Sequence, residues 1–260
     1  MNELISALLI AVVQGLTEWL PVSSSGHLVV VERLLGFEGG LFFDVALHFG
    51  TLMAVFVYFG REITDIIEDI LKGKWKSENA RLGFLILLGT VPAAIVGLLF
   101  TKVFEVAFES LTIAALGFGI TGVFLFIAGM DFSRSGRGKR KFGWKESLGV
   151  GIAQVFALFP GISRSGMTLG SGMIFGLDEK QAIRFSFLMS IPVILGANIL
   201  TIGNRALPAE MIWATLVAFI VGLLAIHLMY KYLLTNRKNL RWFGAYALIL
   251  GIVIGVTLIL

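Results

Sequence analysis

The sequence contains no cysteine, and charged residues make up only 15% of its 260 positions. The missing cysteine excludes disulfides, catalytic thiols and cysteine-bound metal clusters. The shortage of charge excludes an ordinary soluble domain, in which about a quarter of the residues are charged. Phosphate-binding loops of the GxxxxGK[ST] type and HExxH zinc motifs are also missing, which argues against nucleotide hydrolysis and zinc chemistry.

Long apolar runs dominate the chain instead. Hydrophobic residues make up 57% of it, and the mean hydropathy is +0.90. A spanning helix needs about 20 apolar residues, whereas spanning strands would alternate between apolar and polar positions. The runs are continuous, so we predict an all-α polytopic membrane protein. The predicted spans are Leu41–Phe59, Leu82–Phe100, Leu111–Met130, Ala182–Leu200, Met211–Tyr230 and Trp242–Leu260.

The net charge of +4 and the pI near 9.4 do not indicate a nucleic-acid partner, because the basic residues lie in short loops between the runs. Basic loops of this kind are topology signals. The first apolar segment is not expected to be a cleaved signal peptide, since Arg33 is the first basic residue and Glu3 stands where a basic region belongs.

An internal duplication emerges when the chain is aligned with itself at an offset of about 140 residues. Gln14 then falls on Gln154, and Ser23–Gly26 falls on Ser163–Gly166. We therefore predict two related halves, 1–130 and 141–260, joined by the basic linker Asp131–Lys145.

Each half begins with an apolar helix that ends at a proline, followed by a Ser/Gly-rich break and a short apolar arm, Leu28–Leu35 or Met167–Gly176. An arm of this size covers about 12–15 Å, less than the bilayer core of about 30 Å. We therefore predict re-entrant hairpins over Glu3–Gly36 and Lys145–Gly176, each followed by three full spans.

Three spans per half make the second half inverted relative to the first, so the two hairpins enter from opposite faces and their broken tips meet near the midplane. The side rich in Lys and Arg is expected to be cytoplasmic, with both termini outside. It receives Arg61, Lys72, Lys74, Lys76, Arg81, Arg134, Arg137, Lys139, Arg140, Lys141, Lys145, Lys180, Lys231, Arg237, Lys238 and Arg241, and the other side Arg33, Lys102 and Arg205.

Polar residues at membrane depth are the candidate functional groups of the first hairpin. Gln14 and Glu18 share one helix face, and a carboxylate in the bilayer costs about 2–3 kcal/mol. The alternative is that Glu18 reaches interfacial water. After Pro21, serine hydroxyls and free backbone N–H groups at the start of a short helix could bind a phosphate. The alternative is that a serine only caps this helix. The residues of this tip are Ser23, Ser24, Ser25, Gly26 and His27.

The second tip runs from Pro160 to Thr168 and contains Arg164, whose planar fork grips phosphate or carboxylate through two hydrogen bonds. Either Glu18 or a phosphate-bearing ligand could serve as its anion. His48 and His227 are interpreted as packed or lumen-facing histidines in preference to catalytic ones, and Asp44 either caps the start of a span or reaches the site. Gly251 and Gly255 form a GxxxG helix-packing face.

The segments Gln14–His27 and Pro160–Thr168 closely resemble the two signature motifs of the bacterial undecaprenyl-diphosphatase family of the bacitracin-resistance type. The resemblance extends to the length and the duplication. It implies removal of the terminal phosphate from undecaprenyl diphosphate, which recycles the lipid carrier for cell-wall polymers such as peptidoglycan. It also implies a bacterial inner-membrane location, an active site open to the outer, periplasmic face, and membrane lipid as a partner. The resemblance does not decide whether the protein forms a homodimer.

The family is associated with a divalent cation, Mg²⁺ or Ca²⁺, and the matching ligands here are Glu18 and Gln14. Many members carry Glu where this chain has Gln14, and a lone carboxylate makes a weaker metal site. The substrate-binding groups implied by the motifs are Ser23, Ser25, Gly26, Ser163, Ser165, Gly166 and Thr168.

The predicted catalytic residues are Glu18, Ser24, His27 and Arg164. Arg164 clamps the phosphate oxygens, and His27 is the candidate general acid and base. The nucleophile stays open between Ser24 activated by His27, His27 itself and water. The rival class is a transporter or flippase for an anionic lipid, because inverted repeats with broken helices are typical of transporters.

Overall fold

The structure is a computed structural model that describes residues 2–130, 142–202 and 209–259. Helices account for the regular structure of these residues, and no strand occurs among them, so the predicted all-α class is confirmed. The α-helices are α1 (Glu3–Trp19), α2 (Ser24–Leu35), α3 (Gly40–Tyr58), α4 (Gly60–Leu71), α5 (Glu78–Leu99), α6 (Thr101–Phe108), α7 (Leu111–Ala128), α8 (Trp144–Phe156), α9 (Arg164–Ile174), α10 (Glu179–Ile202), α11 (Ala209–Leu228) and α12 (Leu240–Thr257).

Six helical segments of the described chain are long and apolar enough to cross a membrane, which confirms the multi-pass class. Each contains most of one predicted run, and the boundaries move by a few residues at the ends. The segments are Gly40–Tyr58, Glu78–Leu99, Leu111–Ala128, Glu179–Thr201, Met211–Leu233 and Arg237–Thr257.

The two predicted hairpins correspond to the pairs α1–α2 and α8–α9. Their short arms begin at Ser24 and Arg164, earlier than the predicted starts at Leu28 and Met167, so those two boundaries were wrong. The physical reason is serine capping. Ser23 Oγ accepts from the Gly26 N–H at 3.3 Å, and Ser163 Oγ accepts in the same way at 3.0 Å.

Two shorter helices were not predicted from the sequence. Helix α4 is amphipathic: Ile63 and Ile66 pack on the core, while Asp65 and Glu68 face away from it. Helix α6 has eight residues and exposes Val106. Both are too short to span a bilayer, so a search for runs of about 20 residues passes over them.

Helices of the first half pack directly against helices of the second half. Helix α1 lies against α11, where a Cβ on Gly15 would be 2.7 Å from the Cβ of Val221. Helix α8 lies against α5 around Gly151, and α12 lies against α7 around Gly251. Gly251 therefore confirms the predicted packing face, whereas a Cβ on Gly255 would meet open space within the described chain. Small residues at these crossings let the helices approach closely.

The organisation into two halves, the inversion of the second half and the membrane orientation stay predictions. Most of the predicted linker, residues 131–141, and Arg205 lie outside the described residues. The described end of the linker runs into α8, which begins at Trp144.

Candidate active site

The tips of the two hairpins meet, as the sequence predicted. Arg164, the first residue of α9, donates from Nη2 to Oε1 of Glu18, near the end of α1. Ser165 Oγ also donates to the carbonyl of Leu20 at 2.8 Å. Each hairpin therefore contributes one charge to a common polar centre between the spans.

The Glu18 carboxylate, which is 6% exposed, forms the middle of this centre. Its Oε2 accepts from Ser24 Oγ at 2.5 Å and from Gln14 Nε2 at 3.1 Å. His48 Nε2 lies 3.4 Å from the same oxygen. The alternative that Glu18 reaches interfacial water is therefore wrong, and the cost of burying this charge is offset by Arg164 and by neutral donors.

The Arg164 guanidinium retains one unused group. Its Nη1 is buried and has no hydrogen-bond partner among the described residues. The guanidinium carbon lies 5.4 Å from the centroid of the Trp19 ring, which supports it from one side. A buried N–H group of an arginine is costly when it lacks an acceptor, so Nη1 is free to donate to a further oxygen, and a phosphate oxygen suits it.

The starts of α2 and α9 bring further donors and partial positive charge to the same place. The tip of the second hairpin is fixed by Thr121 of α7, whose Oγ1 donates to the Gly161 carbonyl at 2.8 Å and accepts from the Ser163 N–H at 2.9 Å. Ser163 and Ser165 hydroxyls lie 3.2 Å apart. This arrangement suits a phosphate at paired helix starts.

Thr168 and the motif glycines lie around the site with mainly structural contacts. Thr168 Oγ1 donates to the Arg164 carbonyl at 2.8 Å and lies 2.6 Å from Ser186 Oγ, so it ties α9 to α10. A Cβ on Gly26 would lie 2.6 Å from Phe118 Cζ, and one on Gly166 would lie 3.0 Å from Ser163 Oγ. These two glycines permit close approach at the tips.

His27, the predicted general acid and base, contacts Ser23 and Tyr246 and not the hydroxyl of Ser24. Its Nδ1 lies 2.6 Å from the Ser23 carbonyl, and its Nε2 lies 2.7 Å from the Tyr246 hydroxyl of α12. Both ring nitrogens are therefore engaged. The hydroxyl of Ser24 donates to Glu18, so in this arrangement Glu18 rather than His27 is the base that Ser24 contacts.

Two contacts of the site were missed from the sequence. His48 was interpreted as a packed histidine, yet it approaches Glu18; a histidine two turns into an apolar span was the available signal. No feature of the sequence marked Tyr246 as a residue of the site. Asp44 does not cap α3: it lies in the second turn, and its carboxyl group lies near that of Glu32. His227 contacts Tyr58 at the far end of α11 and is not part of the site.

A divalent cation does not fit the predicted ligand pair as the side chains lie. Both oxygens of Glu18 already accept hydrogen bonds, and the Arg164 cation adjoins the carboxylate. Gln14 Oε1 is buried without a partner among the described residues and offers one oxygen. Among the same residues, no group of three or more His, Cys, Asp or Glu side chains could hold a metal ion.

Six spanning helices, two broken hairpins and a buried Arg–Glu–Ser centre define a multi-pass membrane protein with a site for an anionic group at its core. The chain belongs to the family described as bacitracin resistance protein BacA, whose model matches residues 7–253. The family inferred from the two motifs is thereby confirmed.

Several similar proteins are named undecaprenyl-diphosphatase. The one from Rubrobacter xylanophilus is 41% identical, with 100% of each chain covered. The one from Thermosipho melanesiensis is 39% identical over 94% of this chain and 96% of its own, and the one from Mycobacterium ulcerans is 36% identical over 96% and 94%.

Proposed function

We propose that the chain is an undecaprenyl-diphosphate phosphatase, which releases inorganic phosphate and returns undecaprenyl phosphate. The family and the names of the relatives support this reaction. The structural observation that carries it is the buried Nη1 of Arg164, which has no partner among the described residues and belongs to the guanidinium that pairs with Glu18, the carboxylate that also accepts from Ser24. A terminal phosphate would supply the oxygen that this group lacks.

The contacts support a route in which Ser24 is the nucleophile. Ser24 Oγ attacks the terminal phosphorus as its proton passes to Glu18, and the bond to the bridging oxygen breaks with undecaprenyl phosphate as the leaving group. Glu18 passes its proton to the departing undecaprenyl phosphate, and water then cleaves the phosphoserine: one water proton restores the Ser24 hydroxyl, and the remaining OH leaves with the phosphate. Arg164 stabilises the charge on the transferred group. Direct attack by water, with Glu18 as base, is the alternative route.

Further phosphate contacts in this proposal come from Ser23, Ser25, Ser163 and Ser165 and from backbone N–H groups near Gly26 and Gly166. The prenyl tail lies against the apolar spans, with membrane lipid as its surroundings. In this proposal the site opens to the periplasmic face of the inner membrane, as the family resemblance implies, and the distribution of Lys and Arg places both termini on that side. A homodimer stays open in this proposal.

A divalent cation, Mg²⁺ or Ca²⁺, would be held mainly by the substrate diphosphate, because Glu18 has its oxygens engaged. Such an ion neutralises phosphate charge. We expect EDTA to lower phosphate release, and we expect the substrate-free protein to bind no Mn²⁺ in a paramagnetic resonance titration. Tight Mn²⁺ binding without substrate, lost in Glu18→Gln, would restore Glu18 as a metal ligand.

The proposed reaction is tested by phosphate release from a prenyl diphosphate by the purified protein in detergent. The wild type should turn over, and Arg164→Ala should lose at least about 100-fold in turnover while remaining folded. Near-wild-type turnover of Arg164→Ala would show that the phosphate binds elsewhere. No release by the wild type, together with counterflow of a prenyl diphosphate in liposomes, would favour the transporter.

A further inference from the structure

The contact between His27 and Tyr246 joins the first hairpin to the last helix of the chain. The Tyr246 hydroxyl lies 2.7 Å from His27 Nε2, and the two rings are parallel within 3° at a centroid distance of 5.7 Å. The Phe118 ring meets the same imidazole edge-on at 5.1 Å. The imidazole is thus fixed in position by the hydrogen bond to Tyr246, by the edge of Phe118 and by its second hydrogen bond, to the Ser23 carbonyl.

The hydrogen bonds also determine which ring nitrogen carries the proton. A carbonyl oxygen only accepts, so His27 Nδ1 must donate to the Ser23 carbonyl. Among the described residues, the carboxylate within 4 Å of a histidine is Glu18, which lies near His48 and not near His27, so a charge on the buried His27 would lack a counter-charge. The neutral ring with Nδ1–H satisfies both contacts, with the Tyr246 hydroxyl donating to Nε2.

The carbonyl that His27 holds belongs to the strained residue of the tip. Ser23 has a φ of +67°, and it is the one described residue other than glycine with a positive φ. Such a conformation persists only where surrounding contacts hold it. Here the Ser23 carbonyl accepts from the His27 ring at 2.6 Å and from the His27 backbone N–H at 3.3 Å, and the Ser23 hydroxyl accepts from the Gly26 N–H. The next residue is Ser24, whose hydroxyl meets Glu18.

We infer that Tyr246 is a positioning residue for the proposed phosphatase reaction. Its hydroxyl fixes His27 in the Nδ1–H form, His27 fixes the Ser23 carbonyl, and this backbone places Ser24 on Glu18. The inference rests on the proposed function for its kinetic consequence. His27 then acts on the conformation of the tip instead of exchanging protons with the substrate.

Kinetics of Tyr246→Phe test the positioning role, because this change removes one oxygen and leaves the ring. We expect kcat to fall by at least about tenfold, since a displaced nucleophile loses its alignment. KM should stay within about twofold, because Arg164 is untouched. The matched control is Tyr232→Phe, which removes the same oxygen from the exposed Tyr232 near the end of α11 and should retain wild-type kcat.

The second readout is the ¹⁵N spectrum of histidine-labelled protein, which is simple because the chain has three histidines. His48→Gln and His227→Gln assign the His27 signals. Wild-type His27 should be neutral with the proton on Nδ1, and Tyr246→Phe should shift its Nε2 resonance away from the hydrogen-bonded position.

Three results would overturn the inference. They are a wild-type His27 that is charged or protonated on Nε2, an unchanged His27 spectrum in Tyr246→Phe, and an unchanged kcat in that variant. If the wild type releases no phosphate, the proposed function fails, whereas the spectra still decide whether Tyr246 fixes His27.

Discussion

At the residue scale, the site is organised around a single carboxylate that several donors share. Glu18 accepts from Arg164, Ser24 and Gln14, and His48 lies close by. A buried charge with this many partners is held in one orientation, and that orientation fixes where the Ser24 hydroxyl points. The unpaired Nη1 of Arg164 is then the group that a substrate can still use.

The shape of the guanidinium, and not its charge alone, should matter at position 164. We expect Arg164→Lys to lose at least about 100-fold in phosphate release, since an ammonium cannot pair with Glu18 and present a second planar N–H group as well. The matched control is Arg184→Lys, at the half-exposed pair with Glu62, which should stay within about twofold of wild type. Comparable losses in both variants would contradict a special role for Arg164.

The hydroxyl of Ser24 should matter more than that of its neighbour. We expect Ser24→Ala to lose at least about 100-fold in kcat, because the group in contact with Glu18 is gone. Ser25→Ala is the comparison: it removes a proposed phosphate contact but no contact with Glu18, since the Ser25 hydroxyl lies 3.3 Å from that of Ser23, and its loss should cost less than about tenfold. Phosphate release by Ser24→Ala near the wild-type rate would favour direct attack by water.

Sequence patterns predicted the charged residues of the site but not their full surroundings. Glu18 and Arg164 stand out because a charge inside an apolar segment is unfavourable without a function. Tyr246 does not stand out, since a tyrosine in a spanning helix is ordinary and its partner His27 is 219 positions away. The role of His27 could not be predicted either, because it depends on which of its neighbours folding brings within hydrogen-bond distance.

At the element scale, the position of the second hairpin depends on how closely α7 approaches it. Gly161 has a φ of +84°, and its Cα packs against α7 near Gly117. Thr121, one turn further along α7, holds the backbone of the same tip. Helix α7 therefore sets the depth at which Arg164 meets Glu18.

Gly117→Ala should push α7 away from the tip of the second hairpin. The new Cβ would lie 2.8 Å from the Cα of Gly161, and the facing atoms are backbone that cannot rotate away. We expect a loss of about 1–3 kcal/mol in stability, measured as a lower thermal transition in detergent. Gly119→Ala, two positions along α7, places its Cβ in open space within the described chain and should leave the transition unchanged. Equal transitions in the two variants would contradict the close packing.

The elements themselves were predictable to different degrees. The six spans follow from composition, because a long apolar run has few alternatives in a membrane protein. Helices α4 and α6 were missed, since short interfacial helices depend on amphipathic pattern and on docking against neighbours. The early starts of α2 and α9 come from serine capping, a local signal that was interpreted as part of the break.

At the scale of the whole molecule, the predicted orientation can be tested directly because the chain lacks cysteine. We expect Lys102→Cys, in the exposed helix α6, to react with a membrane-impermeant maleimide added outside intact cells. Lys76→Cys, in the exposed turn before α5, should react only after the cells are opened. The reverse pattern would contradict the predicted orientation.

The pairing of Glu18 with Arg164 has a consequence for biosynthesis. The two residues are 146 positions apart, so a ribosome has produced more than half of the protein before the carboxylate meets its counter-charge. Until then the nascent first hairpin holds its carboxylate without the guanidinium that pairs with it. We expect a chain truncated before Arg164 to release no phosphate and to be less stable than the full chain, because Glu18 then lacks that partner.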